Sequence, residues 1–153
     1  MEPVTETTDD PLALERQVCF ALSIASRSVI GLYRPLLQPM GLTHPQYLAM
    51  LALWQHEPLS VKELGELLRL DPGTLSPLLK RLQALGYIHR ERNTADERAL
   101  AVTLTPAGRQ LRAEAEKIPP AIVARLGMEI EELQDLHRAL MRVIAATRGT
   151  EDG

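Results

Sequence analysis

The fold is most clearly encoded in residues Leu59–Leu104, LSVKELGELLRLDPGTLSPLLKRLQALGYIHRERNTADERALAVTL. Ser60 is followed three residues later by Glu63, and this spacing is the capping box that starts a helix. Asp71, with a proline directly after it, is a second helix start, and Gly86 can adopt the positive φ that ends a helix. The stretch therefore begins with two short helices joined by a tight turn.

A hairpin is predicted after these helices. Residues 87–92 and 98–104 are strand-like runs, and residues 93–97 form a polar loop of the kind that joins antiparallel strands. In the second run the larger apolar residues alternate with alanine and threonine, as expected when one face of a strand is buried. The order helix, turn, helix, hairpin predicts a winged helix-turn-helix, which is mainly α with a small β-hairpin wing.

The composition is that of one soluble domain. The chain has 153 residues, of which 45% are hydrophobic and 24% are charged, and this balance excludes a disordered chain. No apolar run approaches the ~20 residues that a membrane span needs, and the acidic N-terminus lacks the features of a signal peptide. We therefore expect a cytoplasmic protein that does not contact a membrane.

Amphipathic helices are predicted on both sides of the hairpin unit. A first long helix is expected from Asp10 to Leu37, with its last turn kinked or frayed by Pro35. A further capping box at Thr43–Gln46 opens a helix that ends near Gln55, and its apolar residues indicate core packing. Downstream helices are expected over residues 106–117, with a bend at the following double proline, and over residues 129–147, ended by Gly149.

The terminal helices carry apolar stripes that the small winged unit cannot bury. We therefore expect them to pack against their counterparts in a homodimer. Such a dimer holds the two recognition helices, the second helix of each helix-turn-helix, at a fixed separation. The predicted divisions are a disordered acidic tail (1–9), an N-terminal dimerisation helix and break (10–42), a winged helix-turn-helix domain (43–105), C-terminal dimerisation helices (106–149) and a tail (150–153).

A net charge of −3 conceals a local basic surface. Acidic residues crowd the first fifteen positions, whereas residues 72–92 hold four lysines and arginines against one glutamate, and a basic patch suits a phosphate backbone. In the second helix of the motif, Leu75, Leu78, Leu79, Leu82 and Leu85 should face inward. The candidate DNA-binding residues are Thr74, Ser76, Lys80, Arg81, Arg90, Arg92, Asp96 and Arg98. A merely solvated helix face is the alternative.

The wing carries its own candidate contact. Arg98 can insert into a narrow minor groove, with Asp96 orienting its guanidinium, although a purely structural pair is the alternative.

Elsewhere there is no Gly-rich phosphate loop, no nucleophile elbow and no His/Cys cluster at metal spacing. We expect no cofactor, no metal and no catalytic residue.

Residues 71–108, DPGTLSPLLKRLQALGYIHRERNTADERALAVTLTPAG, resemble the MarR family of winged-helix repressors. In that family a Leu-Lys-Arg-Leu reading helix and an Asp-Glu-Arg wing recur. The resemblance extends over nearly the whole chain. Within the family, QVCFAL at 17–22, LYRPLL at 32–37 and HPQYLAMLALW at 44–54 resemble the organic hydroperoxide sensors called OhrR.

Cys19 is the single cysteine of the chain. A free cysteine is often a small buried hydrophobe, but the resemblance implies that Cys19 is oxidised to a sulfenic acid and that Tyr33 hydrogen-bonds its reduced form. Phenolic donors can stabilise the thiolate that attacks peroxide. The resemblance also places Ser23 and His44 where related sensors carry tyrosines, so His44 could serve as a substitute donor.

Cys19 and Tyr33 are 14 residues apart, which is about 21 Å along one straight helix. The two side chains cannot meet within such a helix, so Tyr33 would have to come from the other subunit. With no second cysteine in the chain, oxidised Cys19 would be capped by a small thiol or overoxidised.

The leading hypothesis is a homodimeric repressor that releases a pseudo-palindromic operator in double-stranded DNA when an organic hydroperoxide oxidises Cys19. The alternative keeps the regulator but gives it a small aromatic ligand, with Cys19 structural. A thiol peroxidase would need a catalytic constellation that the sequence lacks, so we do not expect an enzyme.

Overall fold

The computed structural model describes residues 10–93 and 96–151, and of residues 92–93, 96–100 and 149–151 it describes the backbone alone. The predicted tail at residues 1–9 lies outside the described residues. The chain divides into two compact units, residues 1–109 and 110–153. The first holds the helix-turn-helix and the wing.

The first helix, α1, spans Val18–Leu37, so its predicted start at Asp10 is wrong. The Asp10 carboxylate accepts a hydrogen bond from the Leu12 amide, a local turn that competes with a helix, and residues 14–16 form a short 3-10 turn. Gln17 then has extended backbone angles, which delay α1 to the next residue. The predicted end at Leu37 is confirmed, and a 3-10 turn continues from it to Met40.

Helix α2 spans His44–His56, and its predicted capping box is present. The Thr43 amide donates to Gln46 Oε1 at 2.9 Å, and the Gln46 amide donates in return to Thr43 Oγ1 at 3.4 Å. The helix is part of the core, as predicted. Its buried side chains are Gln46, Tyr47, Ala49, Met50 and Leu53.

The helix-turn-helix follows the predicted caps. Helix α3 spans Val61–Leu68 with its Ser60 capping box, and α4 spans Pro72–Ala84, where Asp71 Oδ1 accepts from the Thr74 amide at 2.8 Å. Gly86 has a φ of 84° and ends the segment as predicted. The inward leucines of α4 are buried except Leu85, which is 44% exposed because the helix ends before it at Ala84.

Three antiparallel strands complete the first unit, in the order β1-β3-β2. They are β1 at Leu59–Ser60, β2 at Ile88–Asn93 and β3 at Asp96–Leu104. The predicted loop over residues 93–97 is wrong at both ends, because Asn93 and Asp96 pair across the hairpin. Buried Val102 and Leu104 confirm the predicted alternation in β3 where side chains are described. The strand β1 was not predicted, since two residues carry no periodic signal.

The remaining helices are α5 at Pro106–Ala115, α6 at Ile118–Leu126 and α7 at Ile130–Glu151. Thr105 caps α5, since its Oγ1 accepts a hydrogen bond from the Gly108 amide at 3.0 Å. The double proline lies in the first turn of α6, where a missing amide leaves no helical hydrogen bond unmade. Gly149 does not end α7, which runs two residues further. None of the described helices is long and apolar enough to span a membrane.

Candidate DNA-binding surface and redox site

Helix α4 presents a polar face beside its buried leucines. Thr74, Lys80 and Arg81 are exposed as predicted, whereas Ser76 is half-buried. Because the buried leucines hold α4 against the core of the first unit, its exposed cations project from a fixed helix rather than from a loose loop. That arrangement suits contacts to phosphates and base edges.

Arg90 extends this surface from the adjacent strand β2. Its Nε donates to Gln83 Oε1 on α4 at 2.8 Å, so an amide from the reading helix orients the guanidinium. No local sequence pattern indicates this role for Gln83, because the hydrogen bond joins two separate elements. Of the other predicted contacts, the side chains of Arg92, Asp96 and Arg98 lie outside the described residues, and the proposed Asp96–Arg98 pair stays a prediction.

The base of the wing is tied to the helices by hydrogen bonds. The Tyr87 hydroxyl donates to the Met40 carbonyl at 2.7 Å, and the Thr105 hydroxyl donates to the Gly86 carbonyl at 2.5 Å. Gly108 packs so closely there that a Cβ on it would overlap the Tyr87 carbonyl. The start of β2 and the start of α5 are therefore held together.

Cys19 is the second residue of α1 and is exposed in this chain. It takes no part in the chain's own core, so the interpretation as a small buried hydrophobe has no support from packing within one subunit. Tyr33 lies on the same helix, 14 residues further along, about 21 Å away by helical rise. Within one chain these two residues cannot meet.

Tyr33 lies instead in a cluster of three rings that joins α1 to α2. Its ring centroid is 5.0 Å from that of His44, in an edge-on arrangement, and 5.8 Å from that of Tyr47. The His44 and Tyr47 centroids are 6.4 Å apart. These separations are typical of favourable aromatic pairs. The structure thus brings together two of the three predicted redox residues, Tyr33 and His44, and adds Tyr47.

Burial sets the protonation states within the ring cluster. It raises the pKa of the Tyr33 phenol above its ordinary 10.0 and lowers the pKa of the His44 imidazole below its ordinary 6.5. The pKa of Tyr47 is raised first by burial and then by repulsion from Tyr33. Near neutral pH both phenols are protonated and able to donate hydrogen bonds, while His44 is neutral.

Sequence reasoning treated Tyr47 as core alone. The available signal was its spacing, because a residue three positions after His44 on a helix shares its face.

Among the described residues, no group of three or more His, Cys, Asp or Glu side chains could hold a metal ion.

Comparisons with known proteins agree with this geometry. The MarR family profile matches residues 42–100. The organic hydroperoxide resistance transcriptional regulator of Bacillus subtilis is 43% identical over 139 residues, covering 91% of this chain and 95% of that protein. The HTH-type transcriptional regulator TtmR of Methylorubrum extorquens is 44% identical over 140 residues, covering 92% of this chain and 70% of that protein.

A solved structure of a DNA-bound protein also resembles this chain. A structure of reduced AbfR bound to DNA superposes with a TM-score of 0.78 at 33% identity, covering 89% of this chain and 93% of that one. The fold and these matches define a winged-helix, DNA-binding transcriptional regulator rather than an enzyme. The chain belongs to the MarR family, and the resemblance and the fold class expected from its sequence are confirmed.

Proposed function

We propose that this chain is a homodimeric repressor that binds a pseudo-palindromic operator and releases it when an organic hydroperoxide oxidises Cys19. The observation that carries the proposal is the 43% identity, over 91% of the chain, to the Bacillus subtilis organic hydroperoxide resistance regulator. The ring cluster around Tyr33 supports it, because Tyr33 is a half-buried phenol on the helix that bears Cys19 and it packs on the buried phenol of Tyr47.

The proposed dimer follows from apolar side chains that the described chain leaves exposed. On α1, Val18 is 71% exposed and Ile24 is 41% exposed, and α7 exposes a similar row. Burying such stripes against a second copy is favourable at roughly 25 cal/mol per Å². In a two-fold dimer with antiparallel first helices, Tyr33 of one subunit approaches Cys19 of the other.

The proposed chemistry is a two-electron oxidation. The Cys19 thiolate attacks one oxygen of the hydroperoxide, the O–O bond breaks, and the remaining alkoxide takes a proton and leaves as the alcohol. Cys19 becomes a sulfenic acid. A small thiol can then displace its oxygen as water to form a mixed disulfide, because the chain holds no second cysteine.

Release of DNA then follows from a change in spacing. An added oxygen or thiol at Cys19 disturbs the proposed contact with Tyr33, whose ring packs on His44 and Tyr47 of α2. A shift of α1 against α2 alters the separation of the two α4 helices. Because half-sites lie a fixed distance apart, a changed separation lowers the affinity for the operator.

The test is a gel shift on a duplex that the wild-type chain has selected from a random library. Cumene hydroperoxide should release the wild-type protein, and the matching alcohol should not. Cys19→Ser should stay bound in both. If Cys19→Ser dissociates on oxidation as the wild type does, the sensor role of Cys19 is wrong. Release by phenolic acids with peroxide inert would favour the aromatic-ligand alternative.

A further inference from the structure

Glu57 is the capping residue at the C-terminal end of helix α2, two residues before the first strand. Its amide donates to the Leu53 carbonyl at 3.0 Å and so completes the last turn of α2. Pro58 follows it, and β1 begins at Leu59. The Glu57 side chain is therefore placed where the chain passes from the helical core to the sheet.

The Glu57 carboxylate replaces a missing strand acceptor at the base of the wing. Successive amides of a strand point to opposite sides, and the Thr105 amide donates to the Tyr87 carbonyl on the β2 side. The Leu104 amide therefore points to the other edge of β3. The strand β1 ends its pairing at Leu59, opposite Val102, and does not reach that amide. Glu57 Oε2 accepts it instead, at 2.8 Å.

The second carboxylate oxygen reaches a third element. Glu57 Oε1 accepts from Arg109 Nη2 at 3.0 Å and from Arg109 Nε at 3.1 Å, and Arg109 lies in the first turns of α5. The Glu57 side chain is 24% exposed, so this contact is partly shielded from water. One carboxylate thus joins the end of α2 to the last residue of β3 and to α5.

Helix α2 makes an independent contact with the same junction. Trp54 Nε1 donates to the Gly108 carbonyl at 2.9 Å, one helical turn before Glu57. Two side chains from the end of α2 therefore hold the point where the wing returns to the helices. Because these contacts hold both the Leu104 end of β3 and the start of α5, α2 sets the direction in which the wing projects.

We propose that Glu57 is a positioning residue that fixes the wing at the angle required for DNA binding. The proposal rests on the DNA-binding function, in which the wing enters the operator. Glu57 touches no DNA in this account. It acts through β3, whose far end carries Arg98.

Three substitutions separate the contact of the Glu57 carboxylate with the Leu104 amide from its contact with Arg109. Glu57→Leu removes both, Glu57→Gln keeps an acceptor for the Leu104 amide but loses the charge opposite Arg109, and Arg109→Met removes the ion pair alone. With the selected duplex as probe, we expect Glu57→Leu to raise Kd about tenfold and the other two to raise it by about threefold or less. Hydrogen exchange at the Leu104 amide should accelerate in Glu57→Leu alone, while the Thr105 amide stays protected.

A double-mutant cycle with Arg98→Ala distinguishes wing positioning from general destabilisation. If Glu57 acts through the wing, Glu57→Leu should cost less than about twofold in Kd once Arg98 is absent. If the fold-changes in Kd of Glu57→Leu and Arg98→Ala simply multiply in the double mutant, the two residues act independently and the proposal is wrong. An unchanged Kd in Glu57→Leu would also overturn it. Should Glu57→Leu fail to fold, Glu57→Asp keeps the charge but shortens the reach by one methylene, and it is expected to weaken binding through the same cycle.

The two proposals fail in different ways. If the wild-type chain selects no duplex, the DNA-binding function is wrong, and the positioning role is lost with it. If the wild-type chain binds DNA and responds to peroxide while Glu57→Leu and Glu57→Asp bind as tightly as it does, the positioning role alone is wrong.

Discussion

The rings of Tyr33 and His44 lie edge-on with their centroids 5.0 Å apart, which joins the helix that bears Cys19 to the helix that leads into the DNA-binding part. A change at Cys19 that moves Tyr33 in a dimer would therefore reach α2 through direct contact. Substitutions in the ring cluster, at the base of the wing and on α4 test this arrangement and the DNA-binding surface that it would control.

Tyr33→Phe should keep the ring contact with His44 but remove the phenolic donor. Because a hydrogen bond to a charged group stabilises it by about 1.5–3 kcal/mol, we expect Cys19 to react with cumene hydroperoxide at least about tenfold more slowly. Loss of the free thiol, followed by mass spectrometry, measures this rate. Operator affinity of the reduced protein should not change. An unaltered oxidation rate would show that Tyr33 does not contact Cys19.

His44→Gln should change how stability depends on pH. Burial lowers the pKa of His44 in the folded chain. As the pH falls, His44 is therefore protonated near pH 6.5 in the unfolded chain but stays neutral to a lower pH in the folded chain. Between these two pKa values the unfolded state binds more protons, and the free energy of unfolding falls as the pH falls. Urea unfolding at pH 7.5 and pH 5.5 should show a smaller loss for His44→Gln than for the wild type. Equal losses would contradict a half-buried, neutral His44.

Gly108→Ala should destabilise the wing base, because the added Cβ would overlap the Tyr87 carbonyl. We expect the free energy of unfolding to fall by about 1–3 kcal/mol, measured by denaturant titration. Gly31→Ala is the matched control, since a Cβ there meets nothing within 4 Å in the described chain and alanine favours a helix. Comparable losses in the two variants would mean that crowding at Gly108 is not the cause.

Lys80→Gln and Arg81→Gln should each weaken operator binding and lower the slope of log K against log salt by about one unit. The reason is that each exposed cation of α4 is expected to displace one counterion from a phosphate. Fluorescence anisotropy over a range of salt concentrations measures the slope. Lys117→Gln, at an exposed position outside the predicted surface, should leave it unchanged. A slope unaffected by either α4 substitution would exclude those residues from phosphate contact.

The helix-turn-helix could be predicted from sequence because its signals are local. The caps at Thr43, Ser60 and Asp71, and the glycine at residue 86, act within a few residues of themselves, and all are present in the structure. Local contacts also explain why the predicted start of α1 at Asp10 was wrong. The apolar spacing favours a helix there, but the Asp10 side chain forms a local turn instead.

Contacts between distant elements were not predictable in this way. The Gln83 amide and the Glu57 carboxylate each act on a residue of another element, so no spacing along the chain reveals them. Spacing on α2 places Tyr47 beside His44, but it does not show that the Tyr47 ring also contacts Tyr33 of α1. Leu85 shows the converse, because it continues the leucine pattern of α4 but lies beyond the end of the helix and is exposed.

In the proposed mechanism, oxidation of Cys19 itself releases the operator. The most direct measurement follows one sample as cumene hydroperoxide is added in steps, recording the bound fraction by anisotropy and the oxidised fraction of Cys19 by intact mass. We predict that binding falls in step with Cys19 oxidation and returns when a thiol reductant restores the cysteine. Binding that persists after Cys19 is fully oxidised, or that is lost while Cys19 is still reduced, would show that Cys19 is not the switch.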